Sequence, residues 1–328
     1  NQCRVPHLRR QRSVNNALIH VAAAAVVNDS GDVLVSQRKQ GTHLGGYWEF
    51  PGGKLEPGES FDAALHRELK EELDIVPLSS RPLIRTRYDY PEKSVLLDVW
   101  KIEAYTGQVK GVEGQRIKWQ AIETLDQRDF PPADIPIINA LLLPERYLIT
   151  GEFNGTDDFA SRLTAALGKG IELVQLRLTH DWLQDHTRAH AAEIMALCGR
   201  LCKQFGASLM LNIAEPTMIT AADGLHLNSR RLLQTRARPD YHLVSASCHN
   251  REQLEHAQSV GVDFAVLSPV KKTTSHADAR PLGWKAFQQL VDNINIPVYA
   301  LGGLTADNIE QAWHCGAQGV AAISAFWK

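Results

Sequence analysis

Gly53-Lys54-Leu55-Glu56-Pro57-Gly58-Glu59, then Arg67-Glu68-Leu69-Lys70-Glu71-Glu72-Leu73-Asp74-Ile75, is the stretch on which the reading of this 328-residue chain turns. Pro51-Gly52-Gly53 breaks the chain, and Ser60 is placed to cap a helix that follows. Leu65, Leu69 and Leu73 recur at a four-residue step and make one apolar stripe. Glu68, Glu71 and Glu72 stand at i, i+3 and i+4, so three carboxylates share an arc of roughly 100°. Their repulsion weakens an isolated helix and demands a positive partner. A hard cation with oxygen ligands supplies one, and Mg²⁺ also bridges phosphates. A solvated acidic face is the plain alternative. Against it, Glu59 is placed to pair with Arg67, and the leucine stripe lies behind the acids.

Outward from this helix, residues 17–27 and 33–36 read as strands around Asp29-Ser30-Gly31-Asp32, a hairpin signal. Residues 81–104 and 116–120 supply further strands, and a helix follows Pro132 to about Leu143. Strands with one well-marked helix predict an α+β sandwich over residues 17–143. At Pro144 the pattern changes. Tyr147–Thr150, Leu173–Leu178, Ser208–Asn212, Gly224–Leu227, Leu243–Ser247, Phe264–Leu267, Val298–Leu301 and Val320–Ile323 are short apolar runs, most of them separated by helical stretches. Eight such units predict a small (β/α)8 barrel of TIM type over residues 144–328, with functional groups after the strands. The boundary is expected within Leu143–Arg146.

Composition bounds the function classes. A formal charge of -2 gives no global electrostatic case for nucleic acid or an acidic membrane. Arg4, Arg9, Arg10 and Arg12 make residues 1–16 a basic arm, read as a tail. Five scattered cysteines without paired CxxC motifs argue against a disulfide framework and a structural zinc site. No apolar run approaches a membrane span and no secretory pattern opens the chain, so a cytoplasmic enzyme is expected. Nothing fixes the oligomeric state.

The segment from Gly53 resembles the Nudix box, G-x5-E-x7-R-E-U-x-E-E-x-G-U with U aliphatic. Gly53, Glu59, Arg67, Glu68, Leu69, Glu71, Glu72 and Ile75 match, and Asp74 replaces the second glycine. That position follows a helix end and commonly needs a left-handed backbone, which Asp tolerates better than most residues. The resemblance implies hydrolysis of a nucleoside diphosphate linkage with Mg²⁺ or Mn²⁺. The Gly53 carbonyl, Glu68, Glu71 and Glu72 would be ligands, and Glu59 and Arg67 would orient them. Glu68 or Glu113 would be the general base.

Over residues 18–143 the chain is similar to the MutT subgroup. Trp48-Glu49-Phe50-Pro51-Gly52-Gly53-Lys54, Tyr90-Pro91-Glu92-Lys93, Glu113-Gly114-Gln115 and Phe130-Pro131-Pro132-Ala133-Asp134 carry the likeness. It implies cleavage of oxidised purine nucleoside triphosphates (8-oxo-dGTP) to a monophosphate and pyrophosphate, in nucleotide-pool sanitation and DNA repair. Glu113 would add a metal-site carboxylate, while Arg38, Phe50, Lys54, Tyr90 and Asp134 would bind substrate. Asp134 stands where the subgroup carries asparagine, and it reads equally as the cap of the helix after Pro132. Phe50 and Tyr90 read equally as core.

Residues 147–328 resemble thiamine phosphate synthase and its TenI-like relatives. The likeness rests on Tyr147-Leu148-Ile149-Thr150, Val174-Gln175-Leu176-Arg177, Gly224-Leu225-His226-Leu227, Ser247-Cys248-His249, Ser268-Pro269 and Gly302-Gly303-Leu304. It implies a phosphate-bearing ligand held near Gln175, Arg177, Ser247, His249, Gly302, Gly303 and Ser324. The departures fall on the synthase chemistry. Thr179 replaces a lysine, Asn212-Ile213 lacks a metal aspartate, Arg231 stands for the second, and His276 replaces a further lysine. A ligand-binding domain without synthase activity is expected. His249 reads either as a TenI-type proton shuttle or as a hydrogen-bonded strand-end residue. Two other readings stay open: hydrolysis of a thiamine-pathway diphosphate, and a barrel that serves only structure or assembly.

Overall fold

Every residue from Ala22 to Val26 is buried, because β1 (Leu18–Val26) runs between two helices. A computed structural model describes residues 18–212, 222–273 and 280–328. The basic arm, Ile213 and His276 lie outside the described residues. After β1 come β2 (Asp32–Gln37), β3 (Trp48–Glu49), β4 (Gly52–Lys54), α1 (Phe61–Leu73), β5 (Ile75–Asp89), β6 (Ser94–Gly107), β7 (Ile117–Ala121) and α2 (Ile135–Leu142). They form a sheet of order β4-β1-β6-β5 and a second sheet of order β3-β2-β7. Ala22, Ala24 and Val26 pack with the leucine stripe of α1, while Ala23 and Ala25 pack with Ile137 and Ile138 of α2. A strand covered on both faces reads as a continuous apolar run, and alanine is small enough to let both helices approach.

The expected hairpin is corrected. Asn28 does organise the turn, its side-chain oxygen accepting from the Ser30 and Asp32 amides. Beyond one Val27–Val33 bridge, however, β1 and β2 part into different sheets. Both edges of β1 are already taken, by β4 antiparallel and by β6 parallel.

The second domain is a closed parallel barrel of β8 (Arg146–Ile149), β9 (Leu173–Arg177), β10 (Ser208–Asn212), β11 (Gly224–Leu227), β12 (Leu243–Cys248), β13 (Phe264–Leu267), β14 (Val298–Leu301) and β15 (Gly319–Ala322). Tyr147, Phe264, Tyr299 and Met210 fill its interior. Outside lie α3 (Gly155–Leu167), α4 (His180–Asp185), α5 (Arg188–Phe205), α6 (Ser229–Gln234), α7 (Arg251–Val260), α8 (Gly283–Val291) and α9 (Ile309–His314). The chain is thus an α+β sandwich followed by a TIM-type barrel. Among the described residues no helix is long and apolar enough to cross a membrane.

The domains meet at residues that precede barrel strands. Arg81 of β5 pairs with Glu145 at 3.0 Å and lies 4.2 Å over the Trp313 ring. Gln318 reaches α2, and Asn295 reaches β5. The sandwich therefore docks on the barrel's N-terminal end, away from the strand ends where barrel sites form.

Candidate functional site

α1 presents the carboxylates because both its ends are fixed. Ser60 accepts a hydrogen bond from the Ala63 amide at 3.3 Å, and Leu65, Leu69 and Leu73 are fully buried. Asp74 at the other end has φ 59° and ψ 34°, the left-handed conformation expected where the family pattern has glycine. Lys110 and Lys70 bond its carboxylate and hold its pKa down to about 2. The substitution keeps the turn and adds an ionic clamp.

Arg67 is the hub of the acidic face. It donates to both Glu59 oxygens at 2.9 Å, to Glu68 at 2.8 Å, to Glu71 at 3.2 Å and to the Lys54 carbonyl at 3.1 Å. Its bonds lower the Glu59 pKa to about 2. A Cβ placed on Gly53 would lie 2.1 Å from the Glu68 carboxyl, so that carboxyl rests directly against the Gly53 backbone. Glu72 accepts from the Gly52 amide at 3.2 Å. Burial pushes its pKa to about 8, and Glu49, Glu68 and Glu113 add to the rise. Among the described residues no three Asp, Glu, His or Cys side chains already converge as a cage, since Arg67 holds Glu68 and Glu71. A buried carboxylate ringed by others is nonetheless the donor set that a divalent cation fits. Glu113 stands on the loop after β6, half-exposed and paired with Lys39 at 3.0 Å.

Beside these acids lies a pocket of about 300 Å³ whose walls include Arg38, Phe50, Gly53, Lys54, Tyr90 and Asp134. All five residues expected to bind substrate thus share one cavity with the first residue of the acidic segment. Phe50 is also core, stacked on Phe130 at 5.7 Å. Tyr90 meets the His43 ring edge-on at 5.2 Å. The capping alternative for Asp134 is overturned: it sits at the start of α2, but its side chain caps no amide. It is buried instead, and burial, helped by the Glu49 charge, lifts its pKa to about 8. Glu49 and His43 are among the wall residues that the sequence left unassigned. Glu49, ion-paired with Arg38, stands between the acids of α1 and Asp134, and its burial raises its pKa. The His43 carbonyl accepts from Arg38 at 2.9 Å. A lone acid between Trp48 and Phe50 in an extended segment was the available signal for Glu49.

In the barrel, Gln175 is buried, donating to the Tyr147 hydroxyl at 2.9 Å and accepting from Asn212 at 3.0 Å. Ser247 and Ser245 bracket His226 at 2.7 and 2.8 Å, and burial drives the His226 pKa down to about 3. The charges of Arg231 and Arg177 push it the same way. This buried network through His226 and Ser245 was not anticipated. Gly302 (φ 112°) and Gly303 (φ 63°) face the Pro269 and Lys272 backbones so closely that no side chain fits. The His249 ring nitrogen lies 2.9 Å from the Ser268 carbonyl, and Ser324 lies two residues past the end of β15.

Family profiles divide along the same line. The NUDIX domain profile matches residues 22–140 and the thiamine monophosphate synthase profile residues 146–326. "Putative thiamine-phosphate synthase 2" of Aquifex aeolicus is 36% identical over 188 residues, 56% of this chain and 98% of that protein. The 8-oxo-dGTP diphosphatase of Escherichia coli is 33% identical over 123 residues, 38% of this chain and 95% of that protein. The CTP pyrophosphohydrolase of Escherichia coli is 34% identical over 125 residues, again 38% of this chain and 92% of that protein. With relatives matched over nearly their whole length at both ends, the chain belongs to the Nudix family through its first domain and to the thiamine monophosphate synthase family through its second.

Proposed function

We propose that the first domain is a Mg²⁺- or Mn²⁺-dependent pyrophosphohydrolase of oxidised purine nucleoside triphosphates. The carrying observation is Asp134, buried with its pKa raised to about 8, in a cavity that opens onto Gly53 and the acids of α1. Glu68, Glu71, Glu72, Glu113 and the Gly53 carbonyl would hold the cation, which neutralises phosphate charge and acidifies the attacking water. Arg67 and Glu59 keep the carboxylates in register. Glu68 or Glu113 accepts the water's proton as oxygen bonds to phosphorus. The phosphoanhydride P–O bond breaks, and pyrophosphate leaves a nucleoside monophosphate. Arg38, Tyr90 and Phe50 frame the base, and Lys54 faces the phosphates.

A neutral Asp134 both donates and accepts, as the subgroup's amide does. The name of the diphosphatase relative supports the oxidised-purine reading, and that of the CTP pyrophosphohydrolase makes a pyrimidine the competitor. Pyrophosphate release from 8-oxo-dGTP, dGTP, CTP and thiamine diphosphate decides among them. If 8-oxo-dGTP is cleaved no better than dGTP, the sanitation reading fails.

Asp134 also predicts a pH dependence. Its proton is held more tightly in the folded chain, with a pKa of about 8 against 3.8 ordinarily. The resulting stability is full below pH 3.8 and is lost as pH rises to about 8. Over the upper part of that range the donor disappears, so KM for the purine substrate is expected to climb above pH 8. Asp134→Asn keeps a donor throughout and should flatten the profile. Parallel KM profiles for the two proteins would remove Asp134 from base recognition.

For the barrel we propose binding of a phosphate-bearing ligand without synthase activity. Arg177, Arg231 and the glycine turn at Gly302-Gly303 favour an anion, and Arg231 replaces an acid that a metal-pyrophosphate would need. The full chain, given pyrimidine pyrophosphate and thiazole phosphate with Mg²⁺, is expected to form no thiamine phosphate. Detection of that product by mass would sink the proposal.

A further inference from the structure

Two side-chain amides of the barrel grip the Nudix domain, one at α2, which walls its base pocket, and one at β5, which runs directly into the pocket residue Tyr90. Gln318, in the turn before β15, is buried and donates to two carbonyls at the end of α2, Ala140 at 2.9 Å and Leu143 at 2.8 Å. The last carbonyls of a helix have no partner within it, so a residue of the other domain completes α2. The opposite end of α2 carries Asp134 and Ile137 into the pocket. Asn295, ahead of β14, accepts from the Arg87 amide at 2.8 Å and donates to the Arg87 carbonyl at 2.7 Å. That pair of bonds mimics a strand partner on β5, the edge of its sheet. Beyond Arg87, Tyr88 packs against Tyr90 with ring centres 4.6 Å apart. Asn295 is itself anchored, its amide donating to Gln258 of α7 at 2.6 Å. Thr86 ties the two gripped elements together, donating to the Ala133 carbonyl at 3.3 Å.

An apolar seam alone would let the domains slide, whereas directional amide bonds fix register. We infer that the barrel sets the geometry of the nucleobase pocket, with Gln318 and Asn295 as positioning residues for base selection. This rests on the reading of that pocket as the base site. Neither residue touches the acids of α1, so the two steps of catalysis should separate: base binding should suffer and cleavage should not.

The test uses the full chain, with Gln318→Leu and Asn295→Ala singly and combined. Activity is read on the triphosphate that the parent cleaves fastest and on its closest competitor. The combined variant is expected to raise KM about tenfold with kcat within about twofold, and to narrow the preference between the two bases. Asn295→Asp keeps the acceptor for the Arg87 amide and should recover part of the loss. Asn295 is half-buried, so its variants report even where Gln318→Leu lowers Tm. Unchanged KM and preference overturn the inference, and so does a fall in kcat alone that is equal for both substrates. A parent with no base preference would instead defeat the reading of the pocket, while the KM comparison would still judge the clamp.

Discussion

Glu71→Gln is expected to lower the rate of pyrophosphate release about a thousandfold or more while the protein stays folded. An amide of the same shape adds no negative charge and ligates Mg²⁺ poorly. Losing ~4 kcal/mol of metal-dependent transition-state stabilisation corresponds to three orders of magnitude. Stability should be nearly unaffected, since the Glu71 side chain is 58% exposed and its bond to Arg67 is one of several that Arg67 makes. Removing one carboxylate from a repelling row even favours the apo helix slightly. The measurements are kcat at saturating Mg²⁺, the Mg²⁺ concentration giving half-maximal rate, and Tm. Turnover near the parent's would refute the metal assignment.

The adjacent glycines separate fold from chemistry. Gly52 has φ 146°, and a Cβ there would lie 2.2 Å from the Ala22 carbonyl oxygen and 2.6 Å from the Ala23 Cα. Both are backbone atoms of β1, which pairs with β4. Gly52→Ala must therefore strain or break that pairing, a loss of ~3 kcal/mol and on the order of 10 °C in Tm for a domain of this size. The three atoms nearest a Cβ on Gly53 all belong to the Glu68 carboxyl, the far end of a flexible side chain. Gly53→Ala is expected to leave Tm within a few degrees yet cut activity about a hundredfold by displacing Glu68. Calorimetry and kcat on the two variants give the contrast. A fully active Gly53→Ala protein would mean that Glu68 does not work from this position.

How far the sequence carried depended on whether the information was local. The box on α1 has fixed spacing, so its helix, cap and left-handed Asp74 were all readable from neighbours in the chain. Barrel strands were readable because burial on both faces leaves short, uninterrupted apolar runs such as Phe264–Leu267. The short helices α4 and α6 leave a weaker signal: at six residues each they complete fewer than two turns of periodicity. Strand pairing failed for the opposite reason. The turn at Asn28 is local, but the β6 partners of β1 lie 76 residues away, as in the register Ala23↔Val99. Asp134 shows the same limit. A cap and a pocket acid look identical in sequence, and only the surrounding side chains decide which one is buried with a raised pKa. Glu49 and the interior His226 were missed because their partners come from separate strands.

The docking of the sandwich on the barrel's N-terminal end also bears on metabolism. The strand ends where a barrel ligand would sit lie at the opposite end of the barrel from the seam, so direct transfer between the two sites is not expected. Any compound made in one domain and used in the other would be diluted into the surrounding fluid first, and an unlabelled competitor added outside would intercept it. What the covalent link does guarantee is equal copy number. Each hydrolase arrives with one barrel already seated against α2 and β5.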